Sequence, residues 1–141
     1  MDLKLILDYY EGGHRYHHTA PISAFYALHE GLELIMEEGA PQRFARHQKA
    51  HCEFVRRLEA AGMKMFVPEG RRITNLNTVV VPDGVDELKT RKRLIAEHGI
   101  EIAGGFGPLA GKIFRIGLMG PLATDENAAM LVGAMVHCLH D

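Results

Sequence analysis

Apolar residues recur at three- and four-residue steps from Pro21 onward: Ile22, Phe25, Leu28, Leu32, Ile35 and Met36, up to Gly39. This is the period of a helix with one buried face, so the pattern predicts an amphipathic helix that Pro21 starts and Gly39 stops. A second helix is expected from near Pro41, with Phe44, His51, Val55 and Leu58 on one stripe and a stop at Gly62. The period then shortens. Met63 to Val67 is a short strand candidate ended by Pro68 and Gly70, and Thr74 to Val81 is a β-branched run closed by Pro82-Asp83-Gly84. Asp83 or Asp86 then caps a helix bearing Leu88, Ile95 and Ala96, which ends at Gly99. Ile100 to Ala103 has the length of an edge or bridging strand only, whereas Ile113 to Met119 is the clearest remaining strand. Thr124 caps a last helix carrying Ala128, Leu131, Met135 and Leu139, with Asp125 and Glu126 favourable at its positive end. Residues 1–19 show no sustained period and read as an exposed approach segment.

The order is helix, helix, strand, strand, helix, strand, strand, helix. Tight turns favour antiparallel pairing and the helices need a sheet face to cover, which predicts an α+β two-layer sandwich: a small, mostly antiparallel sheet with helices on one face.

Composition narrows the class. With 141 residues, 47% hydrophobic and 24% charged, the chain has the make-up of an ordinary globular domain with its own core, which excludes a disordered or fibrous protein. A formal net charge of −2, with Lys and Arg scattered, argues against nucleic acid as a partner. No run approaches the roughly 20 apolar residues of a membrane span, and Met1-Asp2-Leu3-Lys4 leads into no secretory segment. Cys52 and Cys138 fall in helical segments and read as reduced, buried small hydrophobes, so a reducing, cytoplasmic setting is expected.

Three places carry candidate chemistry. Arg115 lies inside the apolar run Lys112 to Gly120, where a permanent charge needs either solvent or an anion. Strand alternation puts Phe114, Ile116 and Leu118 on one face and Ile113, Arg115 and Gly117 on the other, with Gly117 leaving room for a ligand beside the guanidinium. The fork matches a carboxylate, although a solvated sheet face would also accommodate it. The loop Ala103 to Gly111 is rich in glycine, permitting positive φ and close backbone approach to a small ligand, but its spacing is not that of a dinucleotide loop. Finally, His14, His17 and His18 cluster around Tyr16 and Thr19. No Glu or Cys completes a metal-ligand spacing and adjacent His17 and His18 diverge, so no metal is expected there. The hydroxyls and histidines suit a phosphate at a helix start, or Thr19 simply caps the helix.

Taken together, these segments are more specific than any one of them. Tyr16-His17-His18-Thr19-Ala20-Pro21-Ile22-Ser23, followed by Tyr26-Ala27-Leu28-His29-Glu30, resembles the Tyr-His-His-Thr-Pro/Ala-Pro stretch of class V aminotransferases of the alanine–glyoxylate and serine–pyruvate group. Ile100 to Gly107 and Gly111 to Gly120 resemble the C-terminal segment of the same family in order and spacing. The resemblance implies that residues 1–20 end a large cofactor-binding domain and that 21–141 form the C-terminal small domain. It also implies pyridoxal 5'-phosphate as cofactor, a homodimer, and small amino acids (alanine or serine) and 2-oxo acids (glyoxylate or pyruvate) as substrates. By the same resemblance Arg115 would grip the substrate carboxylate, and Tyr16 and Thr19 would contact the cofactor phosphate from the partner subunit. None of Lys4, Lys49, Lys64, Lys89, Lys92 and Lys112 matches the context of the family's Schiff-base lysine, so the chain alone is expected to be inactive, with no catalytic residue of its own. The competing expectation is a free-standing α+β domain that binds a small ligand or a protein on its open sheet face.

Overall fold

The structure, a computed structural model, describes residues 2–13 and 19–139. The chain divides into two compact units, residues 1–40 and 41–141.

In the first unit, helix α1 spans Leu3–Tyr10 and helix α2 spans Ile22–Glu38. Helix α1 lies within residues 1–19, which are largely exposed, as expected of an approach segment, wherever they are described, but the helix itself was not expected there. Its start is fixed locally, because the Asp2 carboxylate accepts from the Lys4 backbone N–H at 3.0 Å. Neither helix has a buried residue, and α1, only 8 residues long, is too short to display the sustained period that marks the 17-residue α2. Helix α2 runs as expected, with Pro21 at its N-cap and Gly39, at φ 79°, returning its N–H to Ile35 O.

The second unit contains α3 (Ala40–Ala60), β1 (Leu76–Val80), α4 (Glu87–His98), β2 (Ala103–Gly104), β3 (Ile113–Gly117) and α5 (Asp125–Leu139). The sheet has the order β1-β3-β2 and both pairings are antiparallel. Its core joins Phe54 and Leu58 of α3, Leu94 of α4, Val79, Phe114 and Ile116 of the sheet, and Leu131 and Met135 of α5. Each such side chain contributes roughly 1.5–3 kcal/mol on leaving water, so this unit has ample apolar material to hold its layers together. The α+β architecture with a small antiparallel sheet is therefore as expected.

Several details differ. Met63 to Val67 is no strand: it makes one isolated bridge, Met65 to Val79, since a turn precedes it and Pro68 ends it. On α3 the buried stripe is Ala50, His51, Phe54 and Leu58, and Phe44 is exposed. On α4, Leu88 and Ile95 are exposed while Glu87, Thr90 and Leu94 face inward. The polar members disguised that face, and each is satisfied: the Thr90 hydroxyl donates to Asp86 O at 2.9 Å and Glu87 pairs with Arg91. Cys52 is exposed, which corrects its reading as a buried hydrophobe, whereas Cys138 is buried. The cap choices hold where tertiary packing agrees. Asp86 accepts from Lys89 N, Gly99 ends α4 in the left-handed region, and Thr124 Oγ1 accepts from Asn127 N at 3.2 Å.

Candidate functional site

Arg115 occupies the middle of the central strand, with Thr78 of β1 and Ala103 of β2 opposite it in register. Phe114 and Ile116 point into the core and are buried, while Arg115 is half-buried and Gly117 exposed, as alternation requires. Ile113 shares the Arg115 face yet is buried too, because Gly105 of the preceding loop lies close over that end of the strand.

The guanidinium turns toward the glycine loop. Its Nε donates to Gly104 O at 2.6 Å, and its Cζ lies 4.9 Å from the centroid of the Phe106 ring. These two contacts fix the plane of the fork and leave both terminal nitrogens without a hydrogen bond to any described residue. The fork lines an open cleft of about 610 Å³ with Arg91, Glu101, Gly104, Gly117 and Met119. Arg91 is already neutralised by Glu87, through a short Nε contact to Oε1 and a 3.4 Å contact to Oε2. No ion pair ties Arg115 to a carboxylate among the described residues, so the cleft, which Glu101 also lines, presents one oriented cation without a direct carboxylate partner. A planar anion with two oxygens is what such a fork recognises best.

The glycines act differently from expectation. Gly107 and Gly111 do adopt positive φ, 55° and 72°. Gly104 and Gly105, however, are needed for close approach to the protein itself and not to a ligand. A Cβ at Gly104 would come within 2.2 Å of Glu87 Oε1, and one at Gly105 within 2.0 Å of Leu109 O. Part of the room expected beside Gly117 is taken by Met119, whose Cε lies 3.3 Å from where a Cβ would stand. Sequence reasoning missed the Glu87–Arg91 pair behind Gly104 and the Phe106 ring over Arg115. The i,i+4 spacing of Glu87 and Arg91 on one helix was the available signal for the first; nothing in the sequence announces the second.

Thr19 is exposed and precedes the start of α2, whose N-cap residue, Pro21, makes no side-chain cap hydrogen bond. Tyr16, and with it His14, His17 and His18, lies outside the described residues. All six lysines are exposed, so none lies in a desolvated pocket of the kind that activates a lysine amine as a nucleophile. Lys49 is held further in its charged form by its hydrogen bond to Asp125.

No family model matches the chain. Among curated proteins it is 37% identical over 134 residues to the (S)-ureidoglycine–glyoxylate transaminase of Bacillus subtilis, covering 95% of this chain and 32% of that one. It is 42% identical over 125 residues to the alanine–glyoxylate aminotransferase of Callithrix jacchus, covering 88% and 30%. The crystal structure of alanine–glyoxylate aminotransferase from Nostoc sp. superposes with a TM-score of 0.90 at 42% identity, over 99% of this chain and 37% of that one. The chain thus spans about a third of the length of the relatives it matches.

Proposed function

We propose that this chain, which belongs to the alanine–glyoxylate group of class V aminotransferases and corresponds to their C-terminal portion, supplies the carboxylate-binding part of a pyridoxal 5'-phosphate enzyme. The complete enzyme moves an amino group between a small amino acid, alanine or serine, and glyoxylate or pyruvate. Residues 1–20 are assigned to the end of its larger domain and 21–141 to its C-terminal small domain. When bound, the cofactor supplies the electron sink that transamination requires.

The observation that carries this reading is the fork of Arg115, held by Gly104 O and Phe106 with its terminal nitrogens open to the cleft. There it binds the α-carboxylate of amino acid and oxo acid alike, and so orients both substrates by the same group. The hydroxyls of Tyr16 and Thr19 are assigned to the cofactor phosphate, across the interface of a homodimer. Exposed Thr19, just before the start of α2, has the hydroxyl chemistry for this. The six exposed lysines do not fit the covalent attachment, so the chain alone is inactive.

Arg115→Ala in the complete enzyme removes charged hydrogen bonds that contribute roughly 1.5–3 kcal/mol each. KM for both the amino acid and the oxo acid should rise by about one to two orders of magnitude. An unchanged KM for either substrate removes the assignment.

A further inference from the structure

Away from the Arg115 cleft, the C-terminal ends of α4 and α5 come together. Glu97 and His98 close α4, and His137 stands in the last turn of α5. His137 Nε2 lies 3.1 Å from Glu97 Oε2, and the His98 and His137 rings meet edge to face with centroids 5.3 Å apart. One ligand atom from each of the three residues falls within 4.8 Å of the other two. All three side chains are exposed and so accessible to a solute.

We propose that Glu97, His98 and His137 form a binding site for a divalent transition cation of the zinc class. A tetrahedral zinc ion holds imidazole nitrogen and carboxylate oxygen at about 2.0–2.2 Å, which places neighbouring ligand atoms about 3.4 Å apart. Glu97 and His137 are already at that spacing. The remaining closure is from no more than 4.8 Å, between exposed side chains. Two imidazoles and one carboxylate select zinc-like ions over magnesium or calcium, which prefer all-oxygen shells.

The helix ends favour a cation, against the opposing charge of the Arg93 guanidinium on Glu97. Both helices present their negative dipole ends here. Arg93 fixes the Glu97 carboxylate by donating from Nε to Oε1 at 2.8 Å and from Nη2 to Oε2 at 3.3 Å, and Oε2 also faces His137. The same guanidinium donates to Cys138 O at 3.1 Å, tying the end of α5 to α4 and fixing the distance across the site. With three protein ligands, water completes the shell.

The test is a zinc chloride titration of the metal-stripped chain, read by calorimetry and by the histidine ring resonances. One zinc per chain is expected, with the His98 and His137 resonances moving first and magnesium chloride giving no response at the same concentration. His98→Ala and His137→Ala should each weaken binding by more than about tenfold, with an unchanged circular dichroism spectrum. If either variant folds poorly, the resonance shifts of the native chain still decide the matter. Absence of zinc uptake, uptake indifferent to the double substitution, or uptake removed only by substituting His14, His17 and His18 overturns the proposal.

Discussion

Residues 1–40 and 41–141 are built from the same local code, yet they use their apolar residues in opposite ways. In 41–141 the stripes of α3, α4 and α5 close over Val79, Phe114 and Ile116 of the sheet. In 1–40 the stripe Ile22, Phe25, Leu28 and Leu32 is every bit as regular, and each member keeps at least half its surface exposed. Periodicity therefore reports that a face is apolar, whereas burial depends on what the rest of the structure brings to it. The sharpest way to break this contrast is a matched pair of truncations. Phe114→Ala should destabilise the chain by about 3–5 kcal/mol, because it removes a fully buried ring and leaves a cavity. Phe25→Ala should change the denaturation midpoint by no more than the roughly 0.5 kcal/mol typical of surface positions. Equal effects in urea titrations would mean that the stripe of α2 is covered in solution.

A smaller change probes the link between the packed unit and its cleft. At Gly104 a methyl group would collide with Glu87 Oε1, the buried partner of Arg91, while the carbonyl of the same residue holds Arg115. Gly104→Ala should cost about 1–3 kcal/mol of stability through overpacking. In the complete enzyme it should also raise KM for amino acid and oxo acid together, since the fork loses its seat. A stability loss with KM unmoved would show that Gly104 serves packing alone.

Much of this was legible in the chain. The start and stop of α4 at Asp86 and Gly99, the last helix behind Thr124, and the strand around Arg115 each carried a local signal that tertiary packing did not override. The facing of Arg115 followed from alternation, because Phe114 and Ile116 could have no other side. What stayed hidden depends on distance in sequence. The inward face of α4 is carried by Glu87 and Thr90, polar residues whose burial is tolerable only because Arg91 and Asp86 satisfy them. The Phe106 ring over Arg115 and the meeting of Glu97 with His137 arise from loops and helix ends converging, which no residue pattern encodes.

Caps offer a finer version of the same contrast. Asp2 and Asp86 each accept a backbone N–H of their helix's first turn, at 3.0 and 2.9 Å. Asp86→Ala should lower global stability by about 1 kcal/mol, because α4 unfolds only with the core it belongs to. Asp2→Ala should lower the helical signal of α1 and leave the denaturation midpoint in place, because α1 has no buried residue of its own. A midpoint shift on losing Asp2 would contradict the separation drawn between the two regions.

The smallest effect comes from charge on the surface of α3. Hydrogen bonding to Arg56, with the nearby charge of Arg57, lowers the Glu53 carboxyl from its ordinary 4.5 to about 2. The folded state thus favours the ionised form, so the contribution of Glu53 is fully present above about pH 4.5 and disappears as the pH falls toward 2. Because the group, though half-buried, still meets solvent, salt should weaken it as well. The stability difference between the native chain and Glu53→Gln, followed by denaturant unfolding, should therefore shrink steadily between pH 4.5 and 2 and be smaller in high salt. A difference that stays constant across that window would mean that Glu53 acts through packing or helix propensity and not through its charge, leaving α3 held by its buried stripe alone.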